Sequence, residues 1–154
     1  MLYLYLISLC ALMIDQFVKW FVVREMVIGE SSVLIDGILS LTSHRNKGAA
    51  FGILQNQIWF LIIVTVIILA FIVYFLHKTY MNNKLKSVAL AFVLGGALGN
   101  FSDRIFRGEV VDMVEITFIN YPIFNIADCF IVCGTILLFI SSWSRIKREG
   151  EGNE

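Results

Sequence analysis

Two aspartates, Asp112 and Asp128, stand in apolar phrases of the chain, "VVDMVEI" and "FNIADCFIVC". Neither has a basic residue beside it to pair with, and burial disfavours an unpaired charge. Two carboxyls held together in low dielectric do not both ionise readily, so one keeps its proton. An acid and a base then arise from identical side chains. The base activates water against an amide carbonyl; the acid donates to the carbonyl oxygen, and proton exchange lets the amine leave. Asp112 and Asp128 are the candidate catalytic pair.

Other chemistries have less to build on. The two histidines are His44 and His77. A Ser–His or Cys–His nucleophile would have to join His44 to Ser102 or Cys129, and nothing in the spacing specifies that. No His-Glu-x-x-His pattern offers a metal site, so neither a metal nor another cofactor is expected. The "GGALG" stretch lies in a helical run without a preceding strand, and Gly95 and Gly99 read as a small-xxx-small helix contact rather than a phosphate loop. Cys10, Cys129 and Cys133 lie in apolar runs and match no zinc-ligand spacing.

The elements that must position these acids are membrane helices. Of 154 residues, 58% are hydrophobic and 16% charged, with one proline, far more apolar than a soluble domain of this size. Ile58 to Leu76 runs nineteen residues without a charge. A helix of about 20 residues crosses a hydrocarbon core of about 30 Å. Four spans follow, at about 3–23, 58–76, 88–106 and 123–143, in a single domain covering 1–154. The N-terminal run lacks a positively charged start and a small-x-small cleavage site, so it reads as a retained first span. Segment 24–57 has no helical period long enough to cross. The spacing of Val33, Ile35, Ile38, Leu39 and Leu41 suggests short strands at the outer interface. The expected fold is therefore a mainly α membrane protein with a small β-like cradle between helices 1 and 2. A disordered tail is expected from about 147 to 154.

An even number of spans leaves both termini on one side. Lys78, Lys84 and Lys86 crowd the second connector, and Arg145, Lys147 and Arg148 the tail, which the positive-inside rule assigns to the cytoplasm. Asp15, Asn100, Asp103, Asp112, Asn125 and Asp128 then gather near the outer surface. Asp15 and Lys19, four residues apart, share a helix face and are equally readable as a self-neutralising pair. Asp103 has Arg104 and Arg107 as possible partners. Formal net charge is zero, and no basic patch interleaved with aromatics points to nucleic acid.

Four blocks in order resemble the bacterial lipoprotein signal peptidases (signal peptidase II). They are "DQFVKW" at 15–20, "RNKGAAFG" at 45–52, "GGALGNFSDRIFRGEVVDM" at 95–113 and "FNIADCF" at 124–130. The resemblance implies a membrane-embedded aspartyl endopeptidase of the bacterial inner membrane. Its substrates would be prolipoproteins carrying diacylglyceryl on a cysteine, cut immediately before that cysteine. It implies Asp112 and Asp128 as the catalytic pair, with Asp15, Lys19, Asn46, Gly48, Asn100, Asp103, Arg104 and Asn125 binding substrate or supporting the site. It also implies lipid as surroundings and a monomer, with no metal or nucleic acid as partner. Met113 and Cys129 depart from the family's usual Phe and Ser, which bears on substrate tuning.

Two other classes fit parts of the pattern. A small proton-coupled transporter would also carry intramembrane Asp and Lys. These acids, however, lie at one depth and form no chain across the bilayer. A non-catalytic assembly subunit built on Gly95 and Gly99 would leave Asp112 and Asp128 unexplained.

Overall fold

The computed structural model describes residues 1–49 and 53–151, with side chains described as far as Ser144. Ala50, Phe51 and Gly52 of the second block, "RNKGAAFG", and the tail residues 152–154 lie outside the described residues. Four helices long and apolar enough to cross a membrane, α1 (Leu2–Glu25), α2 (Ile58–Thr79), α3 (Lys84–Phe106) and α4 (Ile126–Glu151), are joined by three strands, two between α1 and α2 and one between α3 and α4. The strands are β1 (Ser31–Ile35), β2 (Leu39–Asn46) and β3 (Val110–Ile116).

The helix ends differ from the sequence expectation for local reasons. Helix α3 begins at Lys84 rather than 88 because Asn83 caps it, its Oδ1 accepting from the Lys86 N–H at 2.9 Å. Helix α4 begins at Ile126 rather than 123. Phe124 still belongs to a β-bridge with Val114, and Asn125 and Asp128 close the first turn reciprocally. The Asn125 Oδ1 accepts from the Asp128 N–H at 3.0 Å, and an Asp128 oxygen accepts from the Asn125 N–H at 3.1 Å. This is the logic of a capping box. At its other end α4 extends to Glu151.

Helix α3 sits at the centre, packed on the other three, while α2 packs chiefly on α3 alone. In lipid there is little hydrophobic drive between helices, so close packing and polar bonds hold them together. Gly95 permits one such approach: a Cβ there would lie 2.6 Å from the Ala11 Cβ and from the Ser8 carbonyl oxygen. Ser8 Oγ also donates to the Ala91 carbonyl at 2.9 Å, tying α1 to α3. Leu4, Ile72, Leu76, Leu90, Ala91 and Leu94 form an apolar core at this end of the bundle.

The sheet closes the opposite end. Its order is β1-β2-β3, antiparallel throughout. The cradle thus takes its third strand from the link between α3 and α4, beyond the segment between helices 1 and 2. Val111 and Met113 on one face of β3 pack with Val22 of α1. Residue pairing between β2 and β3 runs Leu41↔Val114, then His44↔Asp112 and Asn46↔Val110, with a bulge between Leu41 and His44. That single extra residue moves His44 and Asn46 onto the face that carries Asp112; without it Ser43 and Arg45 would stand there.

Candidate active site

Asp112 and Asp128 are sixteen positions apart in the sequence but line one cavity of about 240 Å³, together with Asn46, Asn100, Arg104 and Asn125. The chain brings them together by returning on itself. After β3 it turns through 117–123 and pairs again at Phe124, whose N–H donates to the Val114 carbonyl at 3.0 Å. The Phe124 carbonyl accepts from the Met113 and Val114 N–H groups at 3.0 and 2.8 Å. Asn125 is thereby set beside Asp112, and the first turn of α4 follows.

Both carboxyls are held by side-chain amides. Asp112 is buried, and its Oδ1 accepts from Asn125 Nδ2 at 2.6 Å and its Oδ2 from Asn46 Nδ2 at 3.0 Å. Asp128 is half-buried, and its Oδ1 accepts from Asn100 Nδ2 at 2.8 Å. Burial pushes the Asp112 carboxyl up to about 6, against the two amide bonds from Asn46 and Asn125, which favour its charged form; the nearby Asp128 pushes it up further. This is the arrangement an acid–base pair needs: two carboxyls of unlike exposure, neither tied to a cation by a salt bridge among the described residues.

The cations and remaining acids form a separate layer behind the amides. Lys19 Nζ is fully buried and lies 2.9 Å from Asp15 Oδ2, 2.9 Å from Asp103 Oδ2 and 3.0 Å from Asn100 Oδ1. All three of its donors are used. The same Asn100 oxygen accepts from Asn125 Nδ2 at 3.0 Å, so the Asn100 amide has its NH₂ turned toward Asp128. Asp15 is more than a partner for Lys19: its Oδ1 accepts from the Ala127 N–H at 2.9 Å, satisfying the first turn of α4 from another helix. Asp103 holds β3 in place, accepting from the Val111 N–H at 3.2 Å, and Arg107 Nε stands 3.4 Å from its other oxygen. Every buried side-chain N or O atom among the described residues has a partner.

Arg104 donates to the Asn100 carbonyl at 3.4 Å and to the Gly48 carbonyl at 3.2 Å, bridging α3 to the segment after β2. Gly48 is buried, and its N–H donates to Asn46 Oδ1 at 2.9 Å, which orients the Asn46 amide toward Asp112. All ten residues singled out in the sequence therefore meet in one continuous network. Gln16 was missed: its amide donates at 3.2 Å to Asp15, to Asp103 and to the Gly99 carbonyl. Its signal was visible, a polar side chain next to Asp15 in an apolar helix. Of the two departures, Met113 packs with Val22 and Val111, on the face of β3 away from Asp112; Cys129 follows Asp128 in α4, and its N–H donates to the Asn125 carbonyl at 3.3 Å. Among the described residues, no three His, Cys, Asp or Glu side chains group as metal ligands.

A family model described as signal peptidase (SPase) II matches residues 7–144. The chain belongs to the signal peptidase II family. A lipoprotein signal peptidase of Bacillus pumilus (strain SAFR-032) is 51% identical over 141 residues, which cover 90% of this chain and 91% of that protein. One from Halalkalibacterium halodurans is 52% identical over 139 residues, 88% of each chain. Two solved structures described as bacterial membrane enzymes superpose with TM-scores of 0.90 and 0.83 at 40% and 42% identity. The first likeness covers 95% of this chain and 90% of the other; the second covers 90% of each. The chain is thus a multi-pass membrane peptidase of the signal peptidase II family, and that membership displaces the transporter and assembly-subunit alternatives.

Proposed function

We propose that Asp112 and Asp128 are the catalytic dyad of this signal peptidase II. It removes signal peptides from diacylglyceryl-modified prolipoproteins, cutting immediately before the lipidated cysteine. The ionised carboxylate takes a proton from water, and the oxygen attacks the scissile carbonyl carbon. The protonated partner donates to the carbonyl oxygen as the tetrahedral intermediate forms. Collapse then returns that proton, and the amine of the cysteine leaves with the proton first taken from water. Asp112, which burial keeps protonated to about pH 6, acts as the acid and half-buried Asp128 as the base.

The observation that carries this reading is the shared cavity: two carboxyls, each held by neutral amides, facing the same space of about 240 Å³. Neutral donors orient the oxygens without fixing either acid as a permanent anion. The supporting residues act behind them. Lys19, Asp15 and Asp103 balance charge and set the Asn100 amide, while Arg104 and Gly48 hold the Asn46 side in place. The enzyme works as a monomer in the bacterial inner membrane, with both termini cytoplasmic and the dyad near the outer face.

The test is cleavage of a diacylglyceryl-modified prolipoprotein by the purified protein in detergent. Asp112→Asn and Asp128→Asn should each lower the rate at least about a hundredfold in protein that still folds. Full activity in either variant would remove that residue from the dyad.

A further inference from the structure

Asp112 lines two cavities, whereas Asp128 lines one of them. The inner cavity, with both acids, has apolar walls from Val110, Phe124, Ile131 and Val132, the last two on the membrane-spanning helix α4. The second cavity, about 340 Å³, lies on the sheet side. It shares Asp112, Asn46 and the Pro122–Ile123 wall with the first, and adds His44, Gln55 and Asn120. A peptide passing from one to the other must cross Asp112.

We propose that the sheet-side cavity is a binding subsite for the polar residues that follow the scissile bond, with His44, Gln55 and Asn120 as specificity-determining contacts. The proposal rests on the dyad reading above and extends it to the far side of the cut. The signal peptide is the apolar part of such a substrate, and the inner cavity, continuous with α4, suits it. The segment beyond the modified cysteine is polar and has backbone groups that need partners once they leave water. Primary amides and an imidazole offer both donors and acceptors. At about 340 Å³ the cavity falls within the usual range of roughly 300–1,000 Å³ for small ligand sites.

The walls are built into the fold. His44 is the β2 residue directly opposite Asp112, and the bulge before it puts both on one face. Gln55 is held by a tight loop: Leu54 and Asn56 on either side of it have φ of 58° and 63°, which leucine adopts rarely. The Asn56 N–H donates to the Lys47 carbonyl at 3.1 Å, closing that loop. Gly48 makes room beneath it, since a Cβ there would lie 3.0 Å from Gln55 Nε2 and 2.7 Å from the Ile53 carbonyl oxygen. Small hydrogen-bonding residues after the cysteine fit such a space, and a bulky apolar one would leave the amides unpaired.

Two diacylglyceryl peptides decide it, identical up to the modified cysteine. One ends there as an amide; the other continues with two serines. Affinities are measured with Asp128→Asn protein in nanodiscs, so that binding is read without turnover. The extension is expected to tighten binding about tenfold, the effect of one or two hydrogen bonds. His44→Trp and Asn120→Trp, both at exposed positions where bulk is tolerated, should fill the cavity and cut that gain to about twofold or less. Asp36→Trp, in the turn between β1 and β2, should leave the gain intact. Equal affinities for the two peptides, or an undiminished gain in the filled variants, would overturn the proposal. The dyad is read separately by cleavage: if Asp128→Asn still cuts, the dyad falls, and the ratio of KM values for the two peptides decides the subsite.

Discussion

The two aspartates differ in surroundings more than in chemistry, and that difference has a pH signature. Asp112 keeps its proton to about pH 6 chiefly because it is buried. If the dyad works with one proton, kcat/KM in the free enzyme should decline as pH rises through about 6 and that proton leaves. The amide bond from Asn46 favours the charged form and so holds the value down. Asn46→Ala should therefore shift the alkaline limb to higher pH, together with a lower maximal rate; kcat/KM profiles from about pH 5 to about pH 8 test it. A limb that stays put or moves down would show that Asp112 does not carry the proton. At this scale the acids themselves were legible, since an unpaired carboxyl in an apolar phrase needs a reason. Asn46 as a direct partner of Asp112 was not: its face depends on one bulged residue between Leu41 and His44, which side-chain alternation does not announce.

Helices cohere in lipid only where they approach closely or bond, and α1, α3 and α4 do both around Asp15. Gly99 leaves room for the Asp15 carboxylate: a Cβ there would run into Asp15 Oδ2 and lie 3.1 Å from the Ala127 Cβ. Gly99→Ala should therefore push Asp15 off the Ala127 N–H and lower stability by about 1–3 kcal/mol, read as a lower thermal midpoint in detergent. Lys19→Met removes a cation that touches both Asp15 and Asp103 at 2.9 Å and leaves two buried carboxylates with only Arg107, on Asp103, to balance them among the described residues. A loss of about 3–5 kcal/mol is expected, since breaking a buried ion pair strands its partner. A midpoint unchanged in Lys19→Met would mean the acids there are already neutral. The spans were readable because length and apolarity are enough to define a crossing helix. Strand β3 was not. Val110 to Met113 is buried on both faces, so "VVDM" has none of the alternation that marks a half-exposed strand. Its assignment needs β2 and α1, which the sequence places more than sixty residues away.

The whole molecule is asymmetric along the bundle axis, with an apolar core of α1, α2 and α3 at one end and the sheet, the amides and the carboxyls at the other. That polarity ties the topology to the chemistry. If the connector between α2 and α3 is cytoplasmic, as Lys78, Lys84 and Lys86 argue, four crossings put the sheet and the dyad at the outer face. There a substrate can lie with its signal peptide in lipid and its mature part in water. Orientation is thus a condition for the proposed reaction, and it can be measured without activity. With Cys10, Cys129 and Cys133 replaced by alanine, a single cysteine at Asp36, exposed in the turn between β1 and β2, should react with a membrane-impermeant maleimide in intact cells. One at Asn82, exposed between α2 and α3, should react only after permeabilisation. The reverse pattern would put the dyad on the cytoplasmic face, where the mature segment of an exported lipoprotein does not emerge, and the cleavage reading would fail with it.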